Sequence, residues 1–163
     1  MTSPRVNLVK IINLIKKPPT KPKLSKKIFF FEKNYWKISA SHDGYLKNCG
    51  IIHNRDIEFF PEQMKFVGHD KLISKNKVKN FKFDIRFHLE PNIKVMKTQD
   101  NKSIFIDLNG EGWKFNSYDN DINIDSGLYF GKKNSFTDNQ NIFISGMTNS
   151  ENHTIKWEIT KLK

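Results

Sequence analysis

The run Ser41–Phe60, SHDGYLKNCGIIHNRDIEFF, with its continuation PEQMKFVGHDKLI to Ile73, decides the fold. His42-Asp43-Gly44-Tyr45 reads as a loop or turn that feeds a long strand starting after Gly50. Along that strand Ile51, His53, Arg55, Ile57 and Phe59 alternate with Ile52, Asn54, Asp56 and Glu58, so the first set shares one face. Pro61-Glu62 reads as the turn of a hairpin, and Met64, Phe66, Gly68, Asp70 and Leu72 return on the same face. With those two residues as the turn, the register sets Phe59 against Met64, Ile57 against Phe66, Arg55 against Gly68, His53 against Asp70 and Ile51 against Leu72. Apolar residues then meet apolar partners, and the histidine meets the carboxylate. His53, Arg55 and Asp70 are read as a satisfied polar cluster in a half-buried sheet, since buried polar groups need partners. A direct catalytic role is the alternative.

The order HDGYLKNCGIIHNRDIEFF from His42, GHDKL from Gly68, FDIRFHLEP from Phe83, GEGWKF from Gly110 and IKWEI from Ile155 resembles the C-terminal β-sheet domain of the heparinase II/III-like polysaccharide lyases, in particular their alphaproteobacterial type. The resemblance runs from about residue 35 to the end of the chain. It implies an antiparallel β-sandwich behind an (α/α) toroid, β-elimination at a uronic acid within an acidic polysaccharide, and a location in the cell envelope or periplasm. Such a reaction needs a group to neutralise the carboxylate, a base for the adjacent proton and an acid for the leaving oxygen. In the family the Asn, His and Tyr that do most of this lie in the toroid. The sandwich adds a His and, in several members, a metal held by His and Asp. Those His-x-Asp and His-Asn-Thr segments are absent from this sequence, so no catalytic residue, metal ligand or cofactor is assigned to it. The resemblance therefore implies a sandwich that is not catalytically complete alone, with a toroid encoded upstream as a possible partner.

At 163 residues the chain suits one domain with a sizeable core. Its single cysteine, Cys49, excludes an internal disulfide and reads as a packing residue. The net charge of +11 is concentrated at one end: residues 1–37 hold ten basic residues against Glu32 alone, while the remainder carries 18 basic and 16 acidic residues. A basic tail holds polyanions without selecting among them, so it specifies no nucleic acid. Val6–Ile15 is too short and too polar to span a bilayer. Its polar residues Asn7, Lys10 and Asn13 recur every third position, as in a short amphipathic helix ended by Pro18-Pro19. It lacks the unbroken apolar core and cleavage site of a secretory signal. Residues 1–27 are read as a basic segment and linker, and residues 28–163 as the sandwich domain.

From Ile28 onward short strands recur with tight turns. Ile28–Phe31 and Tyr35–Ser41 flank Lys33-Asn34, and Ser74–Asn80 is a polar connection. Phe81, Phe83, Ile85, Phe87 and Leu89 alternate with Lys82, Asp84, Arg86 and His88, an amphipathic strand. A turn at Glu90-Pro91-Asn92 would bring Ile93 and Val95 back against Leu89 and Phe87. Asp100-Asn101 sets Val95 against Ile106, and Asn109-Gly110, both tolerant of positive φ, sets Ile106 against Trp113 and Ile104 against Phe115. Strands follow at Asp121–Phe130, Asn141–Met147 and Thr154–Leu162. The sum is an all-β antiparallel sandwich of about ten or eleven strands in meander order.

Candidate substrate contacts are His42, Asp43 and Tyr45 in the glycine-bearing loop, and Arg86 and His88 on the polar face of their strand. Arg86 suits a sugar carboxylate. The competing readings are a turn built by Asp43 and Gly44 with Tyr45 packing, and a solvated sheet face. Trp113 and Trp157 fall on apolar faces and read as core; Tyr118 and Tyr129 are the surface candidates for stacking on a sugar ring.

Overall fold

The computed structural model describes residues 23–75, 80–132 and 135–163. The Val6–Ile15 helix expected from the sequence lies outside them. Eleven strands form an eight-stranded and a three-stranded antiparallel sheet, packed as a sandwich. The large sheet begins with β1 (Leu24–Glu32), β2 (Tyr35–Tyr45), β3 (Ile51–Phe60) and β4 (Lys65–Ser74). β1 and β2 turn at Lys33-Asn34, with Glu32 opposite Tyr35. β1 starts four residues before the expected Ile28, so Leu24–Lys27 belong to a strand rather than to a linker.

The hairpin β3–β4 forms, but two residues out of the expected register. Phe59 faces Phe66, Ile57 faces Gly68, Arg55 faces Asp70, His53 faces Leu72 and Ile51 faces Ser74. Two-residue hairpin turns demand positive φ at their first central residue, which Pro61 cannot adopt. Pro61–Gln63 instead make one 3-10 turn, and Met64 takes the left-handed conformation at φ 45°. A shift of two preserves the faces, so the polar and apolar sets still share one surface.

β5 (Lys82–His88) departs further from expectation. Instead of turning back against the next strand it enters the small sheet and pairs with β10 (Ser135–Met147), Ile85 against Ile144 and Phe87 against Ile142. Residues 89–93 carry the chain across to the large sheet, where β6 (Lys94–Lys97), β7 (Ser103–Leu108) and β8 (Glu111–Ser117) form a meander. The physical reason lies in pairing length: β10 gives β5 a seven-pair ladder, whereas β6 has only four residues. The β6–β7 and β7–β8 registers are the expected ones, Val95 against Ile106 and Ile106 against Trp113. Asn109 and Gly110 carry φ of 55° and 86°, as a two-residue primed turn requires.

β9 (Ile122–Lys132) pairs with β10, and β11 (Asn152–Lys161) slots between β4 and β8. Meander order thus holds within β1–β4 and within β6–β8, and β11 joins these two runs. The core lies between the sheets. The Phe87 ring meets Phe115 at 4.8 Å and Trp157 at 4.9 Å, near edge-on. The buried core takes no residue from β1 and only Tyr45 from β2, because three strands cannot cover eight.

Candidate functional site

The polar cluster sits on the inner face of the large sheet, where β3 and β4 pass beneath β5. Asp70 is fully buried and uses both carboxylate oxygens. Oδ1 accepts from His53 Nε2 at 2.6 Å and Arg55 Nε at 2.6 Å. Oδ2 accepts from Arg55 Nη2 at 3.0 Å and from the Trp157 indole N–H at 2.7 Å. Burial by itself would raise the Asp70 carboxyl, but the Arg55 charge and the His53 bond outweigh it and hold the group well below the usual carboxylate range. Arg55 Cζ lies 5.6 and 5.9 Å from the centroids of the Phe87 and Trp157 rings, so the guanidinium bonded to Asp70 also sits against aromatic surface.

His42 extends the cluster. β2 continues through a bulge between His42 and Tyr45, placing His42 directly opposite His53. The Gly44 amide donates to His42 Nδ1 at 3.2 Å, which fixes the His42 proton on Nε2. That N–H then donates to His53 Nδ1 at 3.1 Å, leaving the His53 proton on Nε2 for Asp70. Every imidazole nitrogen in the chain Gly44–His42–His53–Asp70 is therefore engaged. Burial, and next the proximity of His53, lower the His42 pKa to about 4, which keeps its ring neutral. The set does not fit a metal, since no nitrogen lone pair remains free. Among the described residues no three His, Cys, Asp or Glu side chains converge on a point that would hold one.

Gly68 belongs to the same construction. It stands opposite Trp157 across the β4–β11 ladder, and a Cβ there would lie 2.0 Å from the indole ring. The glycine lets Trp157 lie flat over β4 and reach Asp70. Neither residue stood out as part of the site in the sequence. The alternation Trp36, Ile38, Ala40, His42 was the available signal for His42, while Trp157 lies 87 residues from Asp70 and no local pattern couples them.

The other candidates are not brought together. Asp43 accepts the Lys23 backbone N–H at 2.9 Å, and Tyr45 is buried with its ring 5.3 Å from His42. Arg86 and His88 lie on the outer face of the small sheet, on the opposite side of β5 from Arg55. Arg86 donates to Asp125 at 2.9 Å and covers the Phe143 ring, while His88 bonds Asn141 at 2.9 Å. The Tyr118 hydroxyl donates to Glu158, a bond that with desolvation pushes it up to about 12. Tyr129 folds over Gly131. Trp113 and Trp157 are core residues, as their faces predicted. Cys49 is exposed at the end of the short helix α1 (Leu46–Cys49), contrary to a packing role.

The family model described as "Heparinase II/III-like, C-terminal" matches residues 16–158. The chain belongs to this family. Its fold is that of solved heparinase-type structures at low sequence identity. A heparan sulfate lyase HepC mutant from Pedobacter heparinus superposes with a TM-score of 0.71 at 11% identity, over 88% of this chain and 22% of that one. A heparinase III, the BT4657 gene product, gives 0.66 at 12% identity over 88% and 22%. A further heparinase III crystal structure gives 0.61 at 16% identity over 86% and 21%. The heparinase II/III-like chain thus spans about a fifth of the length of these structures. No curated protein sequence matches it. No helix of the described residues is long and apolar enough to cross a membrane.

Proposed function

We propose that this chain is the C-terminal sandwich portion of a heparinase II/III-type lyase that cleaves uronic-acid-containing acidic polysaccharides by β-elimination, and that it is not catalytically complete alone. The observation that carries this reading is the family match over residues 16–158 in a chain that covers only about a fifth of each solved neighbour. The polar cluster supports it. With each imidazole nitrogen of His42 and His53 bonded internally, the cluster offers no free base, and its Arg55 charge is already answered by Asp70. Base, acid and carboxylate-neutralising groups then come from a toroid domain, and any metal from segments outside this chain. The half-exposed inner face of β1–β3, carrying Phe29, Phe31, Trp36 and Phe59, supports a second domain packing there. Its place is the cell envelope or periplasm, where such polysaccharides are met.

The test is to incubate the purified chain with heparan sulfate and other uronic-acid polysaccharides and follow unsaturated uronate by ultraviolet absorbance. No product is expected from the chain alone, and turnover by it would overturn the reading. A non-catalytic glycan-binding role would instead appear as retained polysaccharide binding after residues 1–22, which lie ahead of β1, are deleted. Binding that vanishes with that deletion belongs to the basic segment.

A further inference from the structure

The edge of the large sheet at β1 is built unlike its opposite edge. β6, at the other end, has four residues with Lys94 and Lys97 at its ends, a short edge blunted by charge. β1 has nine residues, and Ile28, Phe29, Phe30 and Phe31 are 45–66% exposed on both of its faces. Beyond β1 no strand pairs with it among the described residues. An apolar strand with two greasy faces and an open ladder has the composition of an interior strand.

We propose that β1 is a self-association edge: two copies pair antiparallel through β1 about a two-fold axis at Phe29, joining their large sheets into one. This rests on the edge and its sequence, independently of the lyase reading. A two-fold axis perpendicular to a sheet sets one residue against its own copy, and only a few registers satisfy that. With Phe29 on the axis, the inner face sets Phe29 against Phe29 and Lys27 against Phe31, a cation facing a ring. The outer face sets Ile28 against Phe30, twice. The run KIFFF from Lys27 to Phe31 is thus self-complementary, apolar residue against apolar residue with a cation against a ring at each end. Moving the axis to Phe30 sets Lys27 against Lys33 and Ile28 against Glu32; moving it to Ile28 sets Lys27 against Phe29 and takes Phe31 away from any apolar partner. Like charges directly opposite destabilise a ladder, and opposite charges or apolar pairs stabilise it, so the Phe29 register wins.

Sedimentation equilibrium of the full 163-residue chain over a wide concentration range reads the association directly. A monomer–dimer equilibrium is expected. Phe29→Lys, which sets two cations face to face on the axis, should leave the thermal melt intact and abolish the dimer. In a Cys49→Ser background, Phe29→Cys should cross-link to a disulfide dimer on oxidation, and Phe31→Cys far less. A monomer at every concentration, a dimer indifferent to Phe29→Lys, or cross-linking without positional preference would overturn the proposal. So would a monomer that dimerises only after residues 1–22 are removed, because the chain's own segment would then hold the edge.

Discussion

One row of side chains crosses the large sheet through Phe29, Ile38, Ile57, Gly68 and Trp157, all on its inner face. At the β1 end Phe29 is 48% exposed; at the β11 end Trp157 is 1% exposed. The neighbouring row runs from Phe31 at 66% exposed to Phe115 at 0%. Both ends present large apolar side chains on the inner face, although β11 alternates them with polar residues and β1 is apolar on both faces over Ile28–Phe31. The difference is the second layer. β5, β10 and β9 cover β11, β8 and the strands beside them, and the half around β1 and β2 stays open. Apolar patterning therefore encodes which face turns inward, and the number of strands in the opposing sheet decides how much of that face is buried.

The sharpest test of this contrast uses two residues of one row. Trp157→Ala should cost about 3–5 kcal/mol, as for large aromatic truncations in cores, and also strip a donor from Asp70. Phe29→Ala should cost under about 0.5 kcal/mol, as for surface positions. Urea denaturation of both variants checks this, and similar losses would show that the open half is covered in solution.

The border between the halves is held by the buried Asp70–Arg55 pair, and breaking it is the next largest effect. Asp70→Asn leaves Arg55 buried without its counter-charge and should destabilise by about 3 kcal/mol at neutral pH. The folded Asp70 carboxyl titrates below its unfolded value. Its contribution is therefore complete above the ordinary carboxylate pKa of about 3.9 and is lost as the pH falls through that value toward the folded one. Melting temperatures of wild type and variant should converge below about pH 4. A gap that persists in strong acid would mean that packing, not charge, holds the site.

The smallest effect belongs to His42, the half-buried end of the imidazole chain. Its folded pKa of about 4 lies below the ordinary 6.5, so the unfolded chain binds the extra proton first. Stability from this group is full above pH 6.5 and declines as the pH drops from 6.5 toward 4. His42→Gln should flatten that stretch of the stability profile. An unchanged slope would place the titration at another histidine.

Much of this architecture was legible because a period of two is unforgiving. The faces of β3, β4, β5 and β11 follow from alternation alone, and Asn109-Gly110 and Asp100-Asn101 pinned two registers through their turns. Pro61 misled because its turn is longer than two residues. The partner of β5 was not readable: apolar residues mark a face to be covered, but nothing local says whether Phe87 meets Val95 alongside or Trp157 across the core. The site shows the same division. His53, Arg55 and Asp70 declare themselves by sharing one face, while His42 needed a bulge and Trp157 a long-range ladder to reach them.

That ladder bears on the order in which the domain can be made. Among the described residues β11 follows the other ten strands, yet it stands between β4 and β8. On the ribosome, β1–β4 emerge with Gly68 uncapped and Asp70 short of its indole donor, and β6–β8 form a separate patch. Neither can join the other until residues 152–161 have left the exit tunnel. Long-range closure of this kind is slow and leaves apolar surface waiting. The nascent sandwich is two unfinished sheets, and its final strand is the seam.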